Sequence, residues 1–217
     1  MQWLQQAKLN WQFFYGNSFR LKFQIFILLI LIVVLFLFQY FFQFIEQRNG
    51  IVLNDFVLNY IPAVDMSIYI FLCIWIVVAL FIFQSIQNPD IFFTFSIAYL
   101  LLCITRIIAI YTVPLNAPFG LIELADPLTN QVYGGGFITK DLFFSGHVST
   151  QFLFFLCFQK KILKTIAFIS TILVAIFVLI QHVHYTIDVL AAPIFCYIIY
   201  LITQRIKRLP QLEYKAP

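Results

Sequence analysis

Two short polar clusters stand apart in a sequence that is otherwise apolar. The chain has three histidines and nine acidic residues, and two of the histidines lie in these clusters. Ionisable groups beside long apolar runs are costly to place in a membrane, so they are candidates for function. The first cluster holds Asp141, Ser145, Gly146 and His147, and the second holds His184 and Asp188.

The spacing of the second cluster suits a nucleophile with an orienting partner. Residues four apart share a helix face, so Asp188 can reach the ring of His184. A carboxylate that holds one imidazole nitrogen leaves the other nitrogen to act as a base or nucleophile. His147 supplies a second imidazole, suited to protonate a leaving alkoxide. A purely structural His184–Asp188 pair is the alternative interpretation.

Attack of a histidine on phosphorus also requires positive charge around the phosphate oxygens. Arg106, a charge within an apolar run, is the first candidate, although it could also be a boundary residue that reaches toward water. Lys140 is the second candidate, with a solvated loop charge as the alternative. A helix that begins near Ser145 adds backbone donors, and Gly146 permits close approach. Two histidines and scattered acids do not form a metal set, so we expect no metal and no cofactor.

Four polar residues in or near the clusters have more than one possible role. Asp65 either caps a helix or belongs to the substrate site, and Asp141 either caps a helix or contacts the acceptor. His182 is interpreted as an interfacial residue without a catalytic role. Tyr185 is interpreted as a membrane-interface anchor.

The elements that must position these clusters are membrane spans. With 63% hydrophobic and 10% charged residues, the composition is far from that of a soluble domain. The sequence predicts an all-α membrane protein, a bundle of six transmembrane helices of roughly 20 residues each. Residues 1–22 are expected to form a cytoplasmic amphipathic segment, 23–202 the catalytic membrane domain and 203–217 a basic tail. The spans are predicted at about 23–44, 67–86, 91–111, 145–158, 165–183 and 188–202.

The distribution of basic residues predicts the orientation. Of thirteen Lys and Arg residues, ten fall in the two tails and the loop at 160–164, which the positive-inside rule assigns to the cytoplasm. Both termini are then cytoplasmic, and both polar clusters face the opposite side. Basic residues beside apolar runs explain the net charge of +4 without a nucleic-acid partner. The oligomeric state is not predicted.

These residues resemble a known group of lipid enzymes. Ser145-Gly146-His147 and the His184/Asp188 pair look like the two signature motifs of type 2 phosphatidic acid phosphatases (PAP2). The fuller pattern is similar to one branch, the sphingomyelin synthase family, at four places across about Pro62 to Val189. These are Pro62 to Asp65, Arg106 with Thr112, Pro114 and Leu115, Asp141 to His147, and His184 to Val189.

The resemblance implies a six-helix fold and a catalytic triad of His147, His184 and Asp188. It implies that His184 forms a phosphohistidine, with a glycerophospholipid as donor and a ceramide-like or diacylglycerol-like alcohol as acceptor. The chain departs from the family pattern at Thr139-Lys140, where Cys-Gly is usual, and at Val148, where Thr is usual. A lipid phosphate phosphatase is the alternative function, and a non-catalytic membrane scaffold or transporter is the second alternative.

Overall fold

The computed structural model describes residues 2–124 and 138–208. Within these residues the fold is all-helical, apart from one isolated β-bridge between Ile51 and Leu115. The described part contains seven α-helices: α1 (Gln2–Phe14), α2 (Ser18–Gln47), α3 (Ser67–Gln87), α4 (Pro89–Thr112), α5 (Gly146–Cys157), α6 (Lys161–Ile180) and α7 (Thr186–Ile206).

Five of these helices, α2, α3, α4, α6 and α7, are long and apolar enough to cross a membrane. The helix at the predicted fourth span, α5, has 12 residues and is about 18 Å long, shorter than a hydrocarbon core of about 30 Å. The predicted count of six spans is therefore not confirmed. The Gly134 to Gly136 run and Lys215 of the predicted basic tail lie outside the described residues.

Local sequence explains where several helices begin. The side chain of Asn17 accepts hydrogen bonds from the amides of Phe19 and Arg20 at the start of α2. Asn88 caps α4 and is followed by Pro89, which has no amide hydrogen to satisfy. Ser145 caps α5 by accepting from the amide of Val148. The helices α2, α4 and α5 thus begin at polar residues whose side chains satisfy one or two of their first amides.

The helices alternate in direction, which gives the bundle two ends. The carboxyl termini of α2, α4 and α6 and the amino termini of α3, α5 and α7 lie at one end, called here the site end. At the opposite end Asn88 Nδ2 donates to Gln159 Oε1 at 2.8 Å, and Lys207 pairs with Asp90 at 2.6 Å. Trp11 and Asn10 of α1 bond the carbonyls of Ile86 and Gln87, so α1 packs on the α3–α4 turn.

The main apolar core joins α3, α4, α5, α6 and α7. Smaller clusters pack α2 against α4, with Phe38, Phe42 and Ile45 on α2 and Cys103 and Ile110 on α4. Although α5 is short, it lies inside this core, and the side chains on one of its faces are buried. The long apolar faces of α2 and α3 remain exposed, as expected for helices in contact with lipid.

The site end is covered by the connections 48–66 and 113–124. Ile51 joins the two connections: its amide donates to the carbonyl of Pro114 and its carbonyl accepts from the amide of Asn116, both at 2.9 Å. A small apolar cluster beneath them packs the two connections onto the start of α7. It consists of Leu58, Leu115, Leu142 and Tyr185.

Candidate active site

His184 and Asp188 lie together at the start of α7. His184 Nδ1 is 3.5 Å from Asp188 Oδ2, and the two side chains are 4% and 0% exposed. Asp188 Oδ2 accepts from the amide of Tyr185 at 3.0 Å. The same carboxylate therefore caps the first turn of α7 and faces the imidazole of His184. Because Nδ1 faces the carboxylate, Nε2 is the nitrogen left to react.

His147 reaches the same place from α5. The centroids of the His147 and His184 rings are 6.2 Å apart, with an angle of 65° between the rings. The amide of Ser145 donates to the carbonyl of Asp188 at 3.1 Å, which fixes the start of α5 against the start of α7. The separation between the rings is of the size needed for one tetrahedral group to lie between two imidazoles.

Arg106 brings a positive charge to the amino terminus of α5. Its Nη2 lies 2.5 Å from Asp141 Oδ1, and its Nε donates to the carbonyl of Phe144 at 3.2 Å. A Cβ added to Gly146 would lie 2.5 Å from Arg106 Nη1 and 2.6 Å from Cζ. Gly146 is therefore the residue that lets the guanidinium lie against the helix terminus, where amides and charge both favour an anion.

The site is recessed from the ends of the longer helices. Arg106 lies six residues before Thr112, the last residue of α4, which corresponds to about 9 Å along the helix axis. The amino terminus of α5 meets α4 at that level. This explains why α5 is short: it begins below the site end of α4 rather than level with it.

Lys140 and Asp65, two predicted substrate-binding residues, are engaged elsewhere. The ammonium of Lys140 donates to the carbonyls of Glu46 and Arg48, at 2.9 and 2.6 Å, and so caps the end of α2. Asp65 accepts from the hydroxyl and the amide of Ser67, which lower the pKa of its carboxyl and cap the start of α3. Both side chains are thus engaged at helix ends, and a substrate role for each stays a prediction.

The interpretations of Tyr185 and His182 as interfacial residues are wrong. Tyr185 is 1% exposed; its hydroxyl donates to the carbonyl of Asn116 and accepts from the amide of Leu53. His182 is 7% exposed, adopts a φ of 57°, and places its ring nitrogens 2.8 and 2.9 Å from the carbonyls of Phe119 and Ile61. Both side chains hold the covering connections onto the α6–α7 turn, which no local pattern in the sequence indicates.

Two residues that the sequence analysis did not identify also support the site. Gln181 is fully buried and bonds the amide of Met66, the hydroxyl of Ser67 and the carbonyls of Ile122 and Glu123. Asp55 accepts hydrogen bonds from both the amide and the hydroxyl of Thr186. The only sequence signal was indirect: both are polar residues close to apolar runs, where an unpaired polar group is costly.

A metal site needs several ligand side chains close together. Within the described ranges, 2–124 and 138–208, no group of three or more His, Cys, Asp or Glu side chains is placed to hold a metal ion. Asp141 and Asp90 instead pair with Arg106 and Lys207, and Asp188 lies beside His184.

The comparison with protein families bears on this same region. Residues 140–205 match the family model described as PAP2 superfamily C-terminal. The matched segment contains both histidines and Asp188, and it supports a PAP2-like domain of the phosphatase or phosphotransferase type that acts on lipids. No curated protein matches the chain.

Proposed function

We propose that this protein is a lipid phosphotransferase, which moves a phospho head group from a glycerophospholipid to a lipid alcohol such as ceramide. The observation that carries the proposal is the arrangement of His147, His184 and Asp188 next to the Arg106 guanidinium, within a PAP2-like domain. Five apolar helices around a recessed site favour a substrate that arrives from the bilayer.

In the first step Nε2 of His184 attacks phosphorus. A bond forms between Nε2 and phosphorus, and the bond between phosphorus and the diacylglycerol oxygen breaks. His147 gives a proton to the departing alkoxide, and Asp188 stabilises the charge that develops on the His184 ring. Arg106 and the first amides of α5 stabilise the phosphate oxygens.

In the second step the acceptor replaces diacylglycerol. His147, now neutral, takes the proton of the acceptor hydroxyl, whose oxygen attacks phosphorus while the bond to Nε2 breaks. The head group is then on the acceptor, and His184 returns to its starting state. The low exposure of His184 and Asp188 supports transfer, because a site with little access to water disfavours hydrolysis of the intermediate.

The second candidate function is a lipid phosphate phosphatase, in which water takes the place of the acceptor. The partly exposed Gly146, His147 and Asp141 favour it, because a small molecule could reach phosphorus from that side. The family match is equally compatible with both reactions.

The test uses the full chain in vesicles with a phospholipid labelled in its head group, with and without ceramide. A transferase yields labelled sphingolipid that depends on ceramide and is lost in His184→Ala. If the label is released equally without ceramide, the protein hydrolyses the phospholipid and the proposal of head-group transfer is wrong. A His184→Ala variant that keeps full cellular function and an unchanged lipid profile would overturn both proposed enzyme functions and favour a scaffold or transporter.

A further inference from the structure

We infer that Asp55 is a positioning residue for the His184–Asp188 pair, an inference that rests on the proposed function. Asp55 lies in the connection between α2 and α3, 131 positions before Thr186. Its Oδ2 accepts from the amide of Thr186 at 2.6 Å, and its Oδ1 accepts from the Thr186 hydroxyl at 2.9 Å. One carboxylate from a distant segment thus holds the first residue of α7.

The same carboxylate also organises its own segment. Asp55 Oδ1 accepts from the amides of Val57 and Leu58, at 3.0 and 3.3 Å, and so shapes the 3₁₀ turn Leu58–Tyr60. Partial burial alone would raise the pKa of Asp55, but the hydrogen bonds from Thr186 and these two amides lower it. Asp55 is therefore held as an anion that faces the amino terminus of α7, where negative charge is favoured.

The Asp55 carboxylate affects how many amides Asp188 must cap at the start of α7. A helix amino terminus offers unpaired amides, and an acidic residue in the first turn is a natural acceptor for them. Asp55 satisfies the amide of Thr186, so Asp188 needs to cap only the amide of Tyr185. Among the described residues, no donor bonds Asp188 Oδ1, and Oδ2 faces the His184 ring.

Loss of Asp55 would leave the amide and hydroxyl of Thr186 without this acceptor. The nearest carboxylate on the same turn is that of Asp188, which would then be drawn toward the helix terminus and away from His184. The ring of His184 would lose its orientation, although every reacting group is still present. The expected defect is in the chemical step rather than in lipid binding.

The first experiment measures turnover of the full chain in vesicles. We expect Asp55→Ala and Asp55→Asn to lower kcat about 10- to 100-fold with little change in KM, the size of effect that small misplacements cause. Thr186→Val, which removes only the hydroxyl, should have a smaller effect, and it should add little to Asp55→Ala. Asn17→Ala, which removes a helix cap at the opposite end of the bundle, is the matched control and should keep wild-type turnover.

The second experiment does not depend on turnover. The chain has three histidines, so the ¹⁵N signals of labelled imidazoles can be assigned by single substitutions. Asp55→Ala should shift the signals of His184 more than those of His182, whose ring bonds the carbonyls of Phe119 and Ile61 and not α7. A folded Asp55→Ala variant with wild-type kcat, or with unchanged His184 signals, would overturn the inference.

The two experiments separate the inference from the proposed function. If no probe lipid is turned over by the wild-type chain, the proposed function fails, while the His184 signals still report on Asp55. If the wild-type chain is active and both Asp55 variants match it in kcat, only the inference fails.

Discussion

The proposed reaction depends on which nitrogen of each imidazole faces the phosphate. His184 Nδ1 faces Asp188, so Nε2 is the proposed nucleophile, and the centroid of the His147 ring lies 6.2 Å from that of His184. Arg106 is shared between this site and Asp141, to which it is bound at 2.5 Å. Its charge is thus oriented before any substrate arrives, and little reorganisation is needed on binding.

The two histidines should respond differently to the quality of the leaving group. A general acid matters less when the leaving group is weakly basic. With p-nitrophenyl phosphate esters, we expect His147→Gln to release about one nitrophenol per site and then stall, because the second step also needs His147. His184→Ala should give no such burst. Equal loss of the burst in both variants, measured by rapid mixing, would contradict the assigned roles.

Gly146 should be required for its lack of a side chain. Gly146→Ala places a methyl group 2.5 Å from Arg106 Nη1, so the guanidinium must move away from the start of α5. We expect turnover to fall by about 100-fold, with thermal stability measured in parallel. Gly16→Ala, where the nearest atom is 3.2 Å from the added Cβ, is the control and should stay active.

At the level of elements, the turn between α6 and α7 is held from above by two connections. His182, Tyr185 and Gln181 each bond backbone groups of 48–66 or 113–124. Such contacts are long-range in sequence, so they define the turn only once the helices have packed. The turn that carries His184 is therefore positioned by the connections that cover it.

Gln181 should contribute strongly to stability. Gln181→Ala removes the partner of the half-buried amide of Met66 and of the carbonyls of Ile122 and Glu123, and a lost hydrogen bond of this kind costs about 1 kcal/mol. We expect a clear drop in the midpoint of thermal unfolding in detergent. Gln159→Ala, an exposed residue with a single side-chain bond to Asn88, should change the midpoint little. Similar midpoints for the two variants would argue against this role of Gln181.

The contribution of Asp55 to the stability of the folded protein should depend on pH. Its pKa is lowered in the folded state, so the unfolded chain takes up the proton first and the stabilisation is present at neutral pH. This stabilisation is lost as the pH falls below the ordinary Asp pKa of about 3.9 and then through the lower pKa of Asp55 in the folded protein. The difference in unfolding midpoint between wild type and Asp55→Asn should therefore shrink in this range. A difference that stays constant down to pH of about 3 would contradict the prediction.

For the whole molecule, alternating helices bring every candidate site residue to one end. Arg106 comes from the carboxyl-terminal part of α4, His147 from the start of α5, and His184 and Asp188 from the start of α7. The basic residues at 160–164 and 205–208 lie at the other end. The positive-inside rule predicts that this other end faces the cytoplasm and that the candidate site lies on the opposite face.

This orientation can be tested by labelling introduced cysteines. Asn59→Cys, exposed at the site end, should react with a membrane-impermeant maleimide in intact cells. Lys160→Cys, exposed at the other end, should react only after permeabilisation. The wild-type chain, whose four cysteines are buried or half-buried, controls for background. The reverse pattern would place the site on the cytoplasmic face.

The sequence alone determined the helices and the residues proposed for chemistry. Apolar runs have a length set by the bilayer, and α3 and α4 follow the predictions for 67–86 and 91–111 within two residues. The His184–Asp188 contact follows from a spacing of four at a helix start, which is a local property. The Ser145–Gly146–His147 cluster likewise begins a helix, as predicted.

Only the tertiary structure decided the remaining features. The recessed start of α5, the capping role of Lys140 and the burial of Tyr185 depend on which segments pack together, and no periodic pattern encodes such contacts. Asp55 lies 131 positions from Thr186, and a carboxylate in a connection reads equally well as a solvated charge. The candidate reactive groups could thus be predicted from the sequence, whereas the contacts that position them depend on packing between distant segments.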